Sequence, residues 1–145
     1  MKIIVTQGIP GSGKSTWARS YLKEHGSDTT VIVNRDSIRS MLGDYWVKER
    51  EELVSKIEDC MIRTAINEGY DVIIDATNLN PRTINKWKIL ALSLNAGIEF
   101  KGFPISLSKA IRRDFWRGLF GGRKVGSKTI KYFYNRYKDF KYDEV

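Results

Sequence analysis

The chemistry in this chain is concentrated in eight consecutive residues, Gly8-Ile9-Pro10-Gly11-Ser12-Gly13-Lys14-Ser15, which satisfy G-x-x-x-x-G-K-[ST] in full. An apolar run ends just before them and a helical pattern begins within them, which is the context this phosphate-binding loop requires. Glycines allow backbone N–H groups to curl around an anion, and the helix N-terminus adds favourable dipole density. Gly8, Pro10, Gly11, Ser12 and Gly13 are therefore read as the frame of a nucleoside triphosphate site. Lys14 is expected on the β- and γ-phosphates, the Ser15 hydroxyl on Mg²⁺, and Thr16 completes the loop.

A loop of this kind does not say where the γ-phosphate goes, so residues that could orient an acceptor matter next. Asn34-Arg35-Asp36-Ser37-Ile38-Arg39 follows a β-branched run, at the strand end where open α/β sheets place ligands. Asp36 there is either a base accepting a proton from an attacking hydroxyl or the cap of a short helix over Ser37–Met41, and spacing leaves both readings open. Arg39, one turn on, could grip an anionic group of the acceptor. Asp75 ends another apolar run, where an acidic residue acts on Mg²⁺, the competing reading being a turn of small polar residues. Thr77 and Asn78 follow it and are read with the substrate side. Arg113 and Arg117 lie four apart, and Arg123-Lys124 follow the flexible Gly118–Gly122 stretch. Together they read as a mobile lid, over about 107–128, whose arginines close on phosphates.

The elements that must hold these residues alternate. Lys2–Gln7, Thr29–Val33, Val72–Ile74 and Ile98–Phe103 read as strands. Helices are expected from Lys14 to about Glu24, over 47–68 with Leu53, Ile57, Met61 and Ile66 inward, from Pro81 behind an Asn80 cap, and near 107–117 and 127–138. Ile130, Phe133, Tyr134 and Tyr137 share a helical face and are read as core. Strands separated by helices of this length predict an α/β fold, a P-loop-type parallel sheet with helices on both faces and a C-terminal helical lid, in one domain over 1–145.

Composition narrows the partners. The chain has 145 residues, a net charge of +8 and one cysteine, Cys60. No internal disulfide or multi-cysteine metal site can form, and a cytoplasmic setting is expected. The opening MKIIVTQGIPGSGK has neither the length nor the apolarity of a signal peptide or membrane span, so no membrane partner is expected. Residues 1–100 hold 13 Lys and Arg against 13 Asp and Glu, whereas 101–145 hold 12 against 4 together with ten of the 17 aromatics. Such a region either binds nucleic acid or is a solvated basic face over an aromatic core.

GIPGSGKSTWAR, NRDSIR and DATNLNP, in this order, resemble the polynucleotide 5′-kinases, the kinase domain of phage polynucleotide kinase-phosphatase and related end-healing enzymes, over essentially the whole chain. The resemblance implies transfer of the γ-phosphate of ATP or another NTP to the 5′-hydroxyl end of DNA or RNA, with Mg²⁺. It matches Asp36 to the general base and Arg39 to the arginine on the acceptor-strand phosphate. Arg117 or Arg123 matches the lid arginine on the NTP phosphates. Two departures stand out. The phage enzyme has an acidic residue directly before Thr-Asn, where this chain has Ala76, with Asp75 one position earlier and so on the other strand face. Leu119–Gly122 also lengthens the lid between its candidate arginines. No D-x-D-G-T phosphatase segment occurs. A kinase of a small metabolite or nucleoside, and a non-catalytic module binding NTP and nucleic acid, remain the alternatives, and homo-oligomerisation is left open.

Overall fold

The structure, a computed structural model, describes residues 1–43 and 46–142, so the end of the expected 1–145 domain lies outside the described residues. Strands β1 (Lys2–Gln7), β2 (Thr30–Asn34), β3 (Asp71–Asp75) and β4 (Gly97–Gly102) form one sheet in the order β2-β3-β1-β4, with every neighbour parallel. Parallel neighbours need crossovers. Helix α1 (Lys14–His25) joins β1 to β2, α2 (Arg35–Met41) and α3 (Glu51–Asn67) lie between β2 and β3, and α4 (Pro81–Ser93) leads to β4.

The central strands read as unbroken apolar runs because both faces are covered. Alternation along the strand sorts them: Ile3, Val5, Val72 and Ile74 join the cluster with Val54, Ile62 and Ile66 of α3 and Trp87, Leu90 and Ala91 of α4. Ile4 and Ile73 point the other way, onto Ala18, with Trp17 and Tyr21 of α1 beside them. β4 has one covered neighbour only and alternates exposed with half-buried positions, as an edge strand does. Trp87 is the largest fully buried side chain, and its truncation to Ala would cost about 3–5 kcal/mol.

Two expectations need correction. The helix expected over 47–68 is a 3₁₀ turn, Lys48–Arg50, followed by α3, whose inward residues are Val54, Glu58, Ile62 and Ile66, with Leu53 and Met61 exposed. Ile66 is inward as expected and Ile57 packs at the core margin, but Val54 and Ile62 replace Leu53 and Met61, and a charged residue, Glu58, occupies the buried face. Arg35 Nη1 donates to Glu58 Oε1 at 2.9 Å and Lys86 Nζ lies 3.9 Å from it, which makes that burial tolerable. The second correction is the cap of α2. Asn34, not Asp36, accepts the first-turn N–H, from Ser37 at 3.0 Å, so the helix starts at Arg35 and Asp36 sits inside its first turn.

Helices α5 (Leu107–Leu119) and α6 (Ser127–Tyr137) form a separate small core. Ile9, Leu79, Ala110 and Ile130 are buried there, with Phe133, Tyr134 and Tyr137 half-buried against them. This places the lid helices over the phosphate loop, at the carboxyl end of the sheet.

Candidate active site

The strands β1, β2 and β3 end at Gln7, Asn34 and Asp75; β1 runs on into the glycine loop, and Asn34 and Asp75 line the same crevice as that loop. Beyond β1 the loop turns through Gly11 and Gly13, both in the left-handed region (φ 84° and 98°), which strains any other residue. Space reinforces conformation, because a Cβ on Gly11 would lie 2.6 Å from the Ala110 carbonyl oxygen and one on Gly13 2.9 Å from Arg113 Nη1. The loop is thus wedged against α5. Gly8 N–H donates to the Thr77 carbonyl at 3.0 Å, tying the loop to the segment after β3.

Lys14 is almost fully buried, and Nζ donates to the Ile9 carbonyl at 2.8 Å and to Ser12 Oγ at 3.3 Å. Burial pushes its pKa down to about 8, an effect that Asp75 and Asp36 oppose and Arg117 reinforces. Next to it, Ser15 Oγ donates to Asp75 Oδ2 at 2.7 Å, and Asn34 Nδ2 donates to the same oxygen at 3.0 Å. Asp75 therefore faces the loop serine. A divalent ion fits this pair, since a hydroxyl and a carboxylate are hard oxygen donors and phosphate oxygens can complete the shell. Among the described residues no three His, Cys, Asp or Glu converge on a point.

Across the crevice, the Asp36 carboxylate, about half exposed, takes Arg39 Nη1 at 2.8 Å on Oδ1 and Arg123 Nη1 at 3.2 Å on Oδ2. Arg39 is oriented from behind by Glu51, which accepts Nη2 at 2.6 Å and Nε at 3.0 Å. This bidentate arrangement holds the Glu51 carboxyl below the usual carboxylate range. Arg35, sharing Glu51 and Glu58, braces the same wall.

The third wall is the lid. Asp114, 1% exposed, accepts Val125 N–H at 2.7 Å and Arg117 Nη2 at 2.7 Å on Oδ1, and Gly126 N–H at 2.9 Å on Oδ2. Burial would raise its pKa, but the two amides and the guanidinium outweigh burial and hold it below the ordinary value. The segment between Arg117 and Gly126, read as flexible, is therefore fastened at both ends to one carboxylate. Arg117 and Arg123 both reach the crevice, Arg123 paired with Asp36, and Arg117 also lines an adjoining groove with Gly11, Ser12 and Gly13 of the loop.

The resulting cleft has a volume of about 580 Å³, and Lys14, Ser15, Asp36, Arg39, Asp75 and Thr77 line it with both lid arginines. Asn78 is the exception among the expected substrate contacts. It is 4% exposed, its Nδ2 donates to the Thr6 carbonyl at 2.8 Å, and its Oδ1 accepts from Trp87 Nε1 at 3.0 Å. With φ at 47° and its side-chain amide engaged, it shapes the turn, outside this cleft but on the wall of another groove beside it. Asn34, Glu51 and Asp114 were not anticipated. A polar residue at the β2–α2 junction and a lone acid among six cations over 107–124 were visible signals for two of them; Glu51 had none, because its partner is twelve residues away on another helix.

A glycine loop wedged at a helix N-terminus, a buried lysine behind it and an acid–serine pair at the neighbouring strand end define a P-loop α/β domain. A family model described as an AAA domain matches residues 3–138, and the chain belongs to that family. It is 28% identical, over 94% of its length, to a protein of Autographa californica nuclear polyhedrosis virus whose name pairs polynucleotide kinase with RNA ligase, and covers 21% of that protein. It is 23% identical to the L-seryl-tRNA(Sec) kinase of Methanococcus maripaludis, over 93% of this chain and 52% of the other. A chain of the Pnkp1/Rnl/Hen1 RNA repair complex superposes with a TM-score of 0.84 at 29% identity, over 98% of this chain and 46% of that one. The resemblance to P-loop polynucleotide kinases read from the sequence therefore holds, and the chain spans half or less of most of these relatives. Among the described residues no helix is long and apolar enough to cross a membrane.

Proposed function

We propose that this chain is a polynucleotide 5′-hydroxyl kinase, transferring the γ-phosphate of ATP or another NTP to the 5′ end of DNA or RNA in end repair. The observation that carries the reading is that Asp36 and Lys14 line one cleft while Arg39, clamped by Glu51, stands beside Asp36. A carboxylate that faces the phosphate loop and has an arginine next to it suits an acceptor with a hydroxyl and a nearby phosphate.

In this reading the loop amides and Lys14 hold the β- and γ-phosphates, and Arg39 holds the phosphate that follows the terminal nucleoside. Asp36 accepts the proton of the 5′-hydroxyl; the oxygen forms a bond to the γ-phosphorus as the bond to the β-bridging oxygen breaks. Negative charge grows on that bridging oxygen and is met by Lys14, Arg117 and Arg123, so most of the rate enhancement is positioning and charge complementarity. Ser15 and Asp75 would hold Mg²⁺, which neutralises charge on the β- and γ-oxygens when bound. Thr77 borders the acceptor side through its place in the cleft.

A small-molecule or nucleoside kinase is the second reading, since the relatives include a kinase named for an acceptor other than a polynucleotide 5′ end. Incubation with γ-labelled ATP and, separately, a 5′-hydroxyl oligonucleotide, nucleosides and sugars tests both. Label at the oligonucleotide 5′ end is expected; label on a nucleoside or sugar alone would overturn the proposal, and label on none would leave a binding module.

A further inference from the structure

Beside the phosphate cleft lies a second groove, of about 310 Å³, running between α3, α4 and the end of α6. The two are continuous, as Arg35, Ala76 and Thr77 line both. Its floor carries the buried Glu58, already paired with Arg35, and its rim carries Lys86 from α4 and Tyr137 from α6. Lys86 Nζ is 4.6 Å from the centre of the Trp87 ring and 3.9 Å from Glu58, with its side chain 43% exposed. Arg35 is held by both Glu58 and Glu51, so the positive charge open to a ligand in the groove is that of the half-exposed Lys86. Asn80 and Thr83 add polar groups along the same wall.

Helix α6 links the two spaces. Thr129 and Phe133 border the phosphate cleft and Tyr137 borders the groove, at intervals of four residues that put all three on one face, successive members about 6 Å apart along the axis. The Phe133 and Tyr137 rings are nearly parallel, their centroids 6.3 Å apart. A half-buried ring followed one turn later by another, with a lysine opposite, is an arrangement on which successive bases of a single strand can lie while the backbone follows the cation.

We infer that this groove is the subsite for the second nucleotide of the acceptor strand, with Tyr137 beneath its base and Lys86 on the phosphodiester that follows it. The inference rests on the proposed polynucleotide kinase activity and makes the site longer than one nucleotide. The strand enters past Arg35, and its 5′ end must be unpaired over at least two residues to run from the groove to Asp36.

The test compares acceptors that grow by one unit: a nucleoside 3′-monophosphate, the dinucleotide bearing a 3′-phosphate, and a trinucleotide. In the wild-type protein the step from mononucleotide to 3′-phosphorylated dinucleotide should raise kcat/KM about tenfold, the range of one added charge-assisted phosphate contact. Lys86→Met, which keeps an unbranched apolar side chain at this position and removes the charge, should erase most of that gain. An undiminished gain in the variant overturns the subsite. Should the variant fold poorly, the wild-type protein supplies an independent reading: a trinucleotide, whose second linkage is the phosphodiester assigned to Lys86, should exceed the mononucleotide as the dinucleotide does, a methylphosphonate at that linkage should remove most of this gain, and an unaltered gain there equally overturns it. Neither failure touches the proposed activity, which falls only if no acceptor strand is phosphorylated.

Discussion

The two sides of the cleft are built by different physics. On the donor side, the loop from Gly8 to Ser15 is shaped by backbone: positive φ at Gly11 and Gly13, contact with Ala110, and a helix start that aims N–H groups at the site. On the acceptor and lid side, geometry comes from charged side chains pairing over long distances in sequence: Arg39 with Glu51, Arg123 with Asp36, Asp114 with Val125 and Gly126. Backbone shape is indifferent to salt and mild acid, whereas ion pairs at partly exposed positions are not. The donor side should therefore behave as a fixed cradle and the other side as an adjustable jaw.

The largest effect should come from the cradle. Lys14→Ala removes the charge facing the phosphates, and turnover should fall by about 10³-fold or more in a steady-state assay; activity near wild type would refute the loop assignment. The same lysine offers a proton count. With its pKa at about 8 in the free protein and phosphates favouring the charged form, ATP binding near pH 8.5 should take up a proton, detectable by calorimetry in buffers of different ionisation enthalpy and absent in Lys14→Met.

The jaw should respond more gently and more selectively. Glu51→Gln weakens the clamp on Arg39 without touching the loop, so KM for a 5′-hydroxyl oligonucleotide should rise about tenfold while the Kd for ATP stays put. A matched loss for ATP would mean the two sides are not independent. Asp114 gives the acid response. Its folded pKa is depressed, so its contribution to the lid is complete above the unfolded value of about 3.9 and is lost as pH falls below that through the folded value. Amide exchange at Val125 and Gly126, corrected for intrinsic rates, should lose protection below about pH 4 before the sheet does, and Asp114→Asn should lose it already at neutral pH. The smallest effect is ionic strength: oligonucleotide binding should weaken with salt at about 0.7 log units per decade for each phosphate contacted, and ATP binding much less.

The same contrast explains what could be read from the sequence. The loop, the order of strands and helices and the positions of Asp36, Arg39 and Asp75 follow from local pattern, since each depends on residues a few positions apart. The apparent displacement of Asp75 by Ala76 did not prevent it from meeting Ser15, because the strand end delivers it there. What local pattern missed is what long-range pairing decides. Glu58 is charged yet sits on the inward face of α3; the Asn78 amide is held by Thr6 and Trp87; Glu51 acquires its role only when α3 packs beside α2.

The central claim is that Asp36 acts on the acceptor hydroxyl, and Asp36→Asn tests it most directly. Asparagine keeps the size and can still meet Arg39 but cannot take a proton. Measured with saturating ATP and a 5′-hydroxyl oligonucleotide, turnover should fall by about 10²-fold or more while the Kd for ATP is unchanged. Near-normal turnover in that variant would contradict the account and leave Asp36 as a partner of Arg39 and Arg123 with no part in the chemistry.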